Sequence, residues 1–440
     1  MNAETVTAVL SRQRERDEVI CGAGVLVACG VAAFALANGH ETLAIAASVV
    51  PIAAWLATRP TAPLVLFGLS IPAVMSLTSN SLGSTGNGGY NTSVSDFLLV
   101  LITLGIAFKW MSGRSEPVLR SLRPVALPVL PYCGVMLIVL ALHPGIREVF
   151  KTGQRFELFL LPLLVGAFAA LTERHIKVLQ AYVVATTILA VVWPVHHLSV
   201  NKNPMGQMIA NAVLLLVGVR ALRRLWPCLV PLAAGLIFTV SRGAIAGAVI
   251  GMMVILVLQR TRARPVMTRV LPFALVALGA FALAPPAVQS RVTTLHAGTG
   301  NTPGEYAIYL RQKYAKDAQK IIRAHAWTGV GIGNYYAADS AVAATPVLDP
   351  HQVLLQQEAE GGYIFGAAFV VLIAGTMLAL RRMRQVDVAA AAAGVLIATV
   401  AHGLVDVYWV RGTPVLGWLL VGMACGGLIK LRSAGSARQA

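Results

Sequence analysis

Apolar runs long enough to cross a bilayer recur along most of this 440-residue chain, broken by short clusters of arginine and lysine. The runs lie near 19–38, 42–57, 64–78, 94–109, 125–142, 157–171, 178–193, 206–219, 228–240, 243–258, 270–287, 361–380, 388–408 and 414–430. A helix needs about 20 apolar residues to span a bilayer, and several of these runs are shorter. The pattern predicts an all-α polytopic membrane protein with 12–14 transmembrane helices, the short runs being tilted or re-entrant.

The cationic clusters order the runs. With the N terminus in the cytoplasm, RQRER, KWMSGRSEPVLRSLR, RALRR, QRTRAR, RRMR and the C-terminal LRSAGSARQA all fall on one side. That is the positive-inside distribution, and it places residues 1–18 and 431–440 in the cytoplasm. The expected organisation is a helix bundle over 19–287, an external segment over 288–360, and closing helices over 361–430. The first run follows RQRERDE and has no clear small-residue cleavage site after it, so it reads as a retained helix.

Composition agrees: 57% of residues are hydrophobic and 12% charged. The formal net charge of +17 follows from topology, and no nucleic-acid motif accompanies it. All five cysteines lie in or beside apolar runs, where they read as small packing residues without metal-ligand spacing.

Some cations fall on the external side, where topology does not ask for them. They are Arg147, Lys151, Arg155, Lys202, Arg242, Arg291, Arg311, Lys313, Lys316, Lys320, Arg323 and Arg411. They point to an anionic ligand at the outer leaflet. Arg242 is the sole charge between Cys228 and Leu258, and its neighbours Ser241 and Gly243 suggest a break between two spans. Acidic partners inside the membrane are few: Asp96, Glu157 and Asp406. A ligand phosphate suits Arg242, because guanidinium is always charged and binds phosphate bidentately. Arg147, Lys151 and Arg155 recur every four residues, which suits a snorkelling interfacial face and a grip on glycan or phosphate equally well.

In EYAIYLRQKYAKDAQKIIRAHAW, Leu310, Tyr314, Ala315, Ala318, Ile321 and Ile322 form one helical stripe, and Gln312, Lys313, Lys316, Asp317, Lys320 and Arg323 the opposite face. Arg311 lies within the apolar stripe. It either pairs with an internal carboxylate or binds an anion, and the second is the stronger reading. In DPHQVLLQQEAE, Asp349 reads as an N-cap, Pro350 as the first turn and Gln352 as part of a loose capping box. His351 then stands at a helix start, where the positive helix end favours neutral imidazole, as a general base requires. Asn203, before Pro204, reads as a turn residue.

Four stretches resemble the O-antigen ligase and O-antigen polymerase superfamily: NKNPMGQMIA at 201–210, SRGA at 241–244, YLRQKYAKDAQKIIRAHAWTGVGIGNYY at 309–336 and HQVLLQQEAEGG at 351–362. Gln352 replaces the asparagine such proteins usually carry after the histidine, while Leu355, Glu360 and Gly362 fit. GVGIGNY lacks the βαβ context of a dinucleotide site. The resemblance implies a GT-C-like, inverting glycosyltransferase of the bacterial cytoplasmic membrane, needing neither metal nor other cofactor. It would move a glycan from a polyprenyl diphosphate carrier to an acceptor hydroxyl, on lipid A-core or another envelope molecule, at the outer face. Carried over by motif, Arg242 and Arg311 would contact the diphosphate and His351 would act near the acceptor. Glu360 would support His351, with Glu358 as a rival, and Arg147, Lys151, Arg155 and Asn203 are candidate substrate-binding residues. Polymerase-type chain extension shares this layout. A lipid-linked oligosaccharide transporter is weaker, because no internal repeat is evident.

Overall fold

The computed structural model describes residues 60–72, 93–113, 117–196, 202–259, 263–293, 302–406, 408–409 and 413–436. The runs expected at 19–38 and 42–57, part of the run at 64–78, the flanking segment 1–18 and Arg411 lie outside them. The chain divides into two compact units, 1–63 with 101–115, and 64–100 with 116–440. The candidate site belongs wholly to the second.

The described residues form helices in the order α1 (Pro63–Ser70), α2 (Val94–Met111), α3 (Arg123–Leu142), α4 (Ile146–Leu171), α5 (His175–His196), α6 (Lys202–Gly218), α7 (Leu229–Phe238), α8 (Arg242–Leu258), α9 (Ala263–Ala282), α10 (Pro286–Thr293), α11 (Pro303–Ala324), α12 (Tyr335–Asp339), α13 (Val353–Arg382), α14 (Ala389–Gly403) and α15 (Val415–Ser436). Among them, seven helical stretches are long and apolar enough to cross a membrane. The chain is an all-α polytopic membrane protein. The run expected at 270–287 does not stay straight: the chain turns by 120° between Ala282 and Pro286. The pair Pro285–Pro286 explains the break, since proline lacks the amide hydrogen that a continuing helix needs.

Close helix contact in this bundle depends on small residues. Every residue of α6 from Met205 to Gly218 is buried. On α8, a Cβ added at Gly247 would lie 2.7 Å from the Ala398 carbonyl oxygen, and one at Gly251 would lie 2.6 Å from that of Gly394. The backbones of α8 and α14 therefore touch, which gains dispersion energy where lipid offers no hydrophobic drive. α4 and α15 pack the same way through Gly166, Gly422 and Gly426.

α13 is two helices joined at a kink, with Gly361 at φ −138° and Gly362 at φ +73°. The backbone groups freed there are taken up by the 326–333 turn. Tyr363 N donates to Ala326 O (2.8 Å), Val330 N to Ala359 O (3.0 Å) and Gly331 N to Glu360 O (2.9 Å). The N-terminal half of α13 also joins a small core with α11, in which Ala318, Ile321, Ile322, Tyr335 and Ala359 are buried. Ala318, Ile321 and Ile322 are apolar-stripe positions of α11, and their burial turns Arg311 inward with them.

Candidate active site

Arg242 begins α8 after a sharp break. Val240 takes φ +54°, and Ser241 N donates to Thr239 Oγ1 at 3.3 Å. A β-branched residue rarely adopts that backbone, so the turn is held by its surroundings. One holder is the backbone of Gly243, where a Cβ would lie 2.5 Å from the His402 ring. The guanidinium of Arg242 is therefore presented at a helix N-terminus, whose dipole favours anions. Its Nη2 reaches Gly304 O of α11 at 3.5 Å.

α11 starts at Thr302, whose hydroxyl accepts Glu305 N at 3.3 Å, with Pro303 in the first turn. Two turns on, Arg311 donates from Nε to Val405 O (2.6 Å) and from Nη2 to Asp406 Oδ2 (2.9 Å). Asn203 Nδ2 donates to the same carboxylate oxygen. Arg311 thus has an internal ion pair and also faces open space. Asp317, on the face of α11 opposite the apolar stripe, is buried all the same and pairs with Lys320 at 2.8 Å.

His351 precedes its helix. α13 is capped by Gln352, whose side chain accepts Leu355 N at 2.6 Å. Asp349 does not cap α13 but closes an Asx-type turn, accepting His351 N at 2.8 Å. The expected cap lay three residues too early because His351 adopts φ +52°, which no helical residue can. The same Asp349 carboxylate is 3.1 Å from the imidazole Nδ1. Burial works against the charged imidazole, but the Asp349 hydrogen bond and charge, aided by Asp406, outweigh it and raise its pKa above the usual histidine value. The expected influence of a helix dipole, which disfavours the proton, is replaced here by a carboxylate that favours it. The Tyr314 ring packs beside it, centroids 5.5 Å apart.

These groups share one cavity of about 820 Å³. Arg242, Arg311, His351 and Asn203 all line it, with Lys202, Arg291 and Asp406. The remaining wall is mostly aliphatic backbone and side chain, such as Ala246, Ala307, Ile308 and Leu404. Four permanent or near-permanent cations face one carboxylate, so the space suits an anion. Among the described residues, no three His, Cys, Asp or Glu side chains gather as a metal-ligand group.

Glu360 lies elsewhere. Its carboxylate pairs with buried Arg155, accepts Gly333 N at 3.1 Å and lies 3.4 Å from Gln356 Nε2. Arg155 also faces the rings of Phe365 (5.6 Å) and Trp409 (5.4 Å). Lys151 packs its stem against Gly333, and its ammonium is 3.4 Å from Gln154 Oε1. Glu148, one turn before Arg155's neighbour Thr152, accepts from Asn334 Nδ2. α4 therefore docks onto the glycine-rich turn, and neither Arg147, Lys151 nor Arg155 lines the cavity. The Glu358 side chain lies over Gly366. The carboxylate on the imidazole is Asp349's.

Four residues of the constellation were not among the candidate site residues: Asp349, Asp406, Lys202 and Arg291. Each left a trace in the sequence. Asp349 stands two before the histidine, Asp406 is a rare acid in an apolar run, and Lys202 and Arg291 are external cations.

Residues 227–371 match the family model described as O-antigen ligase, a match that supports the O-antigen ligase superfamily for this chain. The matched stretch contains Arg242, Arg311 and His351 but stops short of Asp406 and starts after Asn203. No curated protein matches the chain.

Proposed function

We propose, taking the O-antigen ligase superfamily as the premise, that this membrane protein is a ligase-type glycosyltransferase. It moves a glycan from a polyprenyl diphosphate carrier to an acceptor hydroxyl at the outer face of the bacterial cytoplasmic membrane. One observation carries the reading: Arg242, Arg311 and His351, far apart in sequence, line a single cation-rich cavity. An outer location follows from the cationic clusters, which leave this end of the bundle on the external side.

The chemistry is a single displacement with inversion. The acceptor oxygen attacks the anomeric carbon, and its proton passes to His351. The bond from that carbon to the phosphate oxygen breaks, and its electron pair leaves with the diphosphate. Arg242 and Arg311 neutralise the charge that grows there, as preorganised donors do in a water-poor site. Asp349 at Nδ1 selects the tautomer in which Nδ1–H donates to the carboxylate, so that Nε2 is the basic nitrogen. The same carboxylate stabilises the imidazolium that forms. The polyprenyl diphosphate supplies the activation, so no nucleotide enters the step.

The test uses purified protein in lipid with a polyprenyl diphosphate glycan, lipid A-core and unextended glycan as rival acceptors, and EDTA. Wild type should transfer. Arg242→Ala, Arg311→Ala and His351→Ala, if folded, should each lose about 10²–10³ in rate. Full transfer by the three variants would remove this cavity from the chemistry. Transfer only to the same glycan would assign chain extension instead of ligation.

A further inference from the structure

We propose that the outward face of α11 is a track for an acidic glycan. Tyrosines at one end of it stack on sugar rings, and the cations beyond them pair with the carboxylates or phosphates that those sugars carry. The inference rests on the transferase reading above and deepens it, since it names the chemistry of the glycan that the donor brings.

α11 has two faces with different surroundings. Gly304, Ala307, Ile308, Arg311 and Ala315 line the cavity, and Ala318, Ile321 and Ile322 continue that side into the core. Tyr306, Tyr309, Lys313, Lys316, Lys320 and Arg323 follow one another at alternating steps of three and four residues, which keeps them on one stripe. By helical period that stripe lies opposite the cavity. It is about 25 Å long at the rise of an α-helix. Beneath the inner side of α11 lie helix ends: Arg242 at the start of α8, Asn203 near the start of α6 and Asp406 just after α14. The outer stripe therefore points away from the bundle and out of the bilayer. It is open, with Tyr306 and Tyr309 53% and 52% exposed and Lys316, Lys320 and Arg323 exposed beyond them.

The side chains select the occupant. The Tyr306 and Tyr309 rings stack with centroids 6.4 Å apart and planes 26° from parallel, and they leave apolar surface in water. A sugar ring offers an apolar C–H face that covers such a pair, while its hydroxyls stay at the wet edge beside the phenols. The cations continue the line. Lys313 Nζ donates to Thr345 Oγ1 at 2.8 Å, and Lys320 holds Asp317 at 2.8 Å. Among the described residues, Lys316 and Arg323 make no side-chain hydrogen bond or ion pair. Of the carboxylates nearby, Asp317 is buried and Glu305 is confined to the first turn of the helix. A cationic line facing water attracts a polyanion. A neutral glycan would use the tyrosines and leave the cations idle. An anionic lipid surface would need the stripe to face the bilayer, and it faces the other way. The order of the groups also fits transfer: the sugar that reacts is held in the cavity, so the rest of its chain must leave it. Tyr306 and Tyr309 stand on the same turns of α11 as the cavity-lining Gly304, Ala307 and Ile308.

Binding tests the track with probes that carry no lipid and undergo no reaction. The full chain in phosphatidylcholine nanodiscs is titrated with an oligogalacturonate and with a neutral dextran oligosaccharide of equal length. Wild type should bind the acidic probe about 10-fold more tightly at low salt, and the difference should shrink as salt screens it. Lys316→Gln with Arg323→Gln should bind both probes alike, and an unchanged melting temperature confirms its fold. Tyr306→Ser with Tyr309→Ser should weaken both probes by a similar factor, about 3- to 10-fold. A wild type that binds both probes alike would overturn the track, and so would a charge variant that keeps the preference or a tyrosine variant that binds as wild type does. Loss of the preference on adding phosphatidylglycerol to the discs would assign the stripe to lipid headgroups and overturn it too. Each of these failures leaves the transferase reading intact, because no diphosphate or acceptor takes part. That reading stands or falls on the transfer assay.

Discussion

Arg311 and Asp406 meet at 2.9 Å across 95 residues of chain, and the same arginine donates from Nε to the carbonyl next door, Val405 O, at 2.6 Å. Two directed contacts from one planar group set where its remaining edge points, which is into the cavity. A lysine in its place would keep the charge but could not make both contacts at once. Arg311→Lys should therefore lose about 10- to 100-fold in kcat despite conserving charge, because the cation is no longer aimed. Steady-state kinetics of transfer checks this, and near-wild-type kcat in Arg311→Lys would mean that charge alone suffices.

Asp349 raises the pKa of His351. The proposed base acts in its neutral form, so activity should rise with pH through that raised value. Removing the carboxylate charge lowers the imidazole pKa. In Asp349→Asn the acidic limb of kcat/KM should move to lower pH, while the maximum falls because the imidazolium loses its stabilising partner. A pH profile of the two proteins decides it; an acidic limb that stays in place would detach Asp349 from the titrating group.

Glu360 and Arg155 should matter for stability before chemistry. Both side chains are almost fully buried, and Arg155 would be left as a lone buried cation in Glu360→Ala. Breaking such a pair costs about 3–5 kcal/mol. Glu360→Gln combined with Arg155→Met should recover much of that loss, since the amide can still accept Gly333 N and the buried charge is gone. Thermal unfolding in detergent compares the three proteins. Equal melting temperatures for Glu360→Ala and wild type would contradict a structural role.

Gly362 should be intolerant of any side chain. Its φ of +73° with ψ of −178° is a backbone essentially reserved to glycine, costing an L-residue about 1–3 kcal/mol, and a Cβ would run into the Trp327 carbonyl. The residue that suffers is not in the cavity, yet the half-helix it aims begins beside His351. Gly362→Ala should lower both the melting temperature and kcat, with a smaller effect on donor binding. Unchanged kcat in a folded Gly362→Ala protein would show that the kink does not position the histidine.

Much of the candidate site was legible because each residue broke a local rule. Arg242 is a charge inside an apolar run, Arg311 a charge inside an apolar stripe, and His351 follows a turn-forming Asp-Pro pair. Such violations are visible without neighbours. Glu360 broke no rule of this kind and was assigned by motif register, and the structure instead places it against Arg155. The Arg147, Lys151 and Arg155 stripe misleads for a related reason. Its four-residue period is real, but the period says only that the three share a face, not whether water, lipid or the 329–334 turn covers it.

The membrane-spanning helical character and the inward face of α11 were determined by the sequence alone, because hydropathy and helical period act over a few turns. The partners were decided by tertiary structure. Asp406 reaches Arg311, and Lys202 and Arg291 join the same cavity, only after α6, α8, α10, α11 and the residues that follow α14 come together. Coulomb attraction and repulsion depend on distance in space, and separations of 95 residues carry no local imprint of it. The partner of His351 was settled in the same way: its own segment suggested a helix cap, and a left-handed backbone at one residue gave it a carboxylate instead.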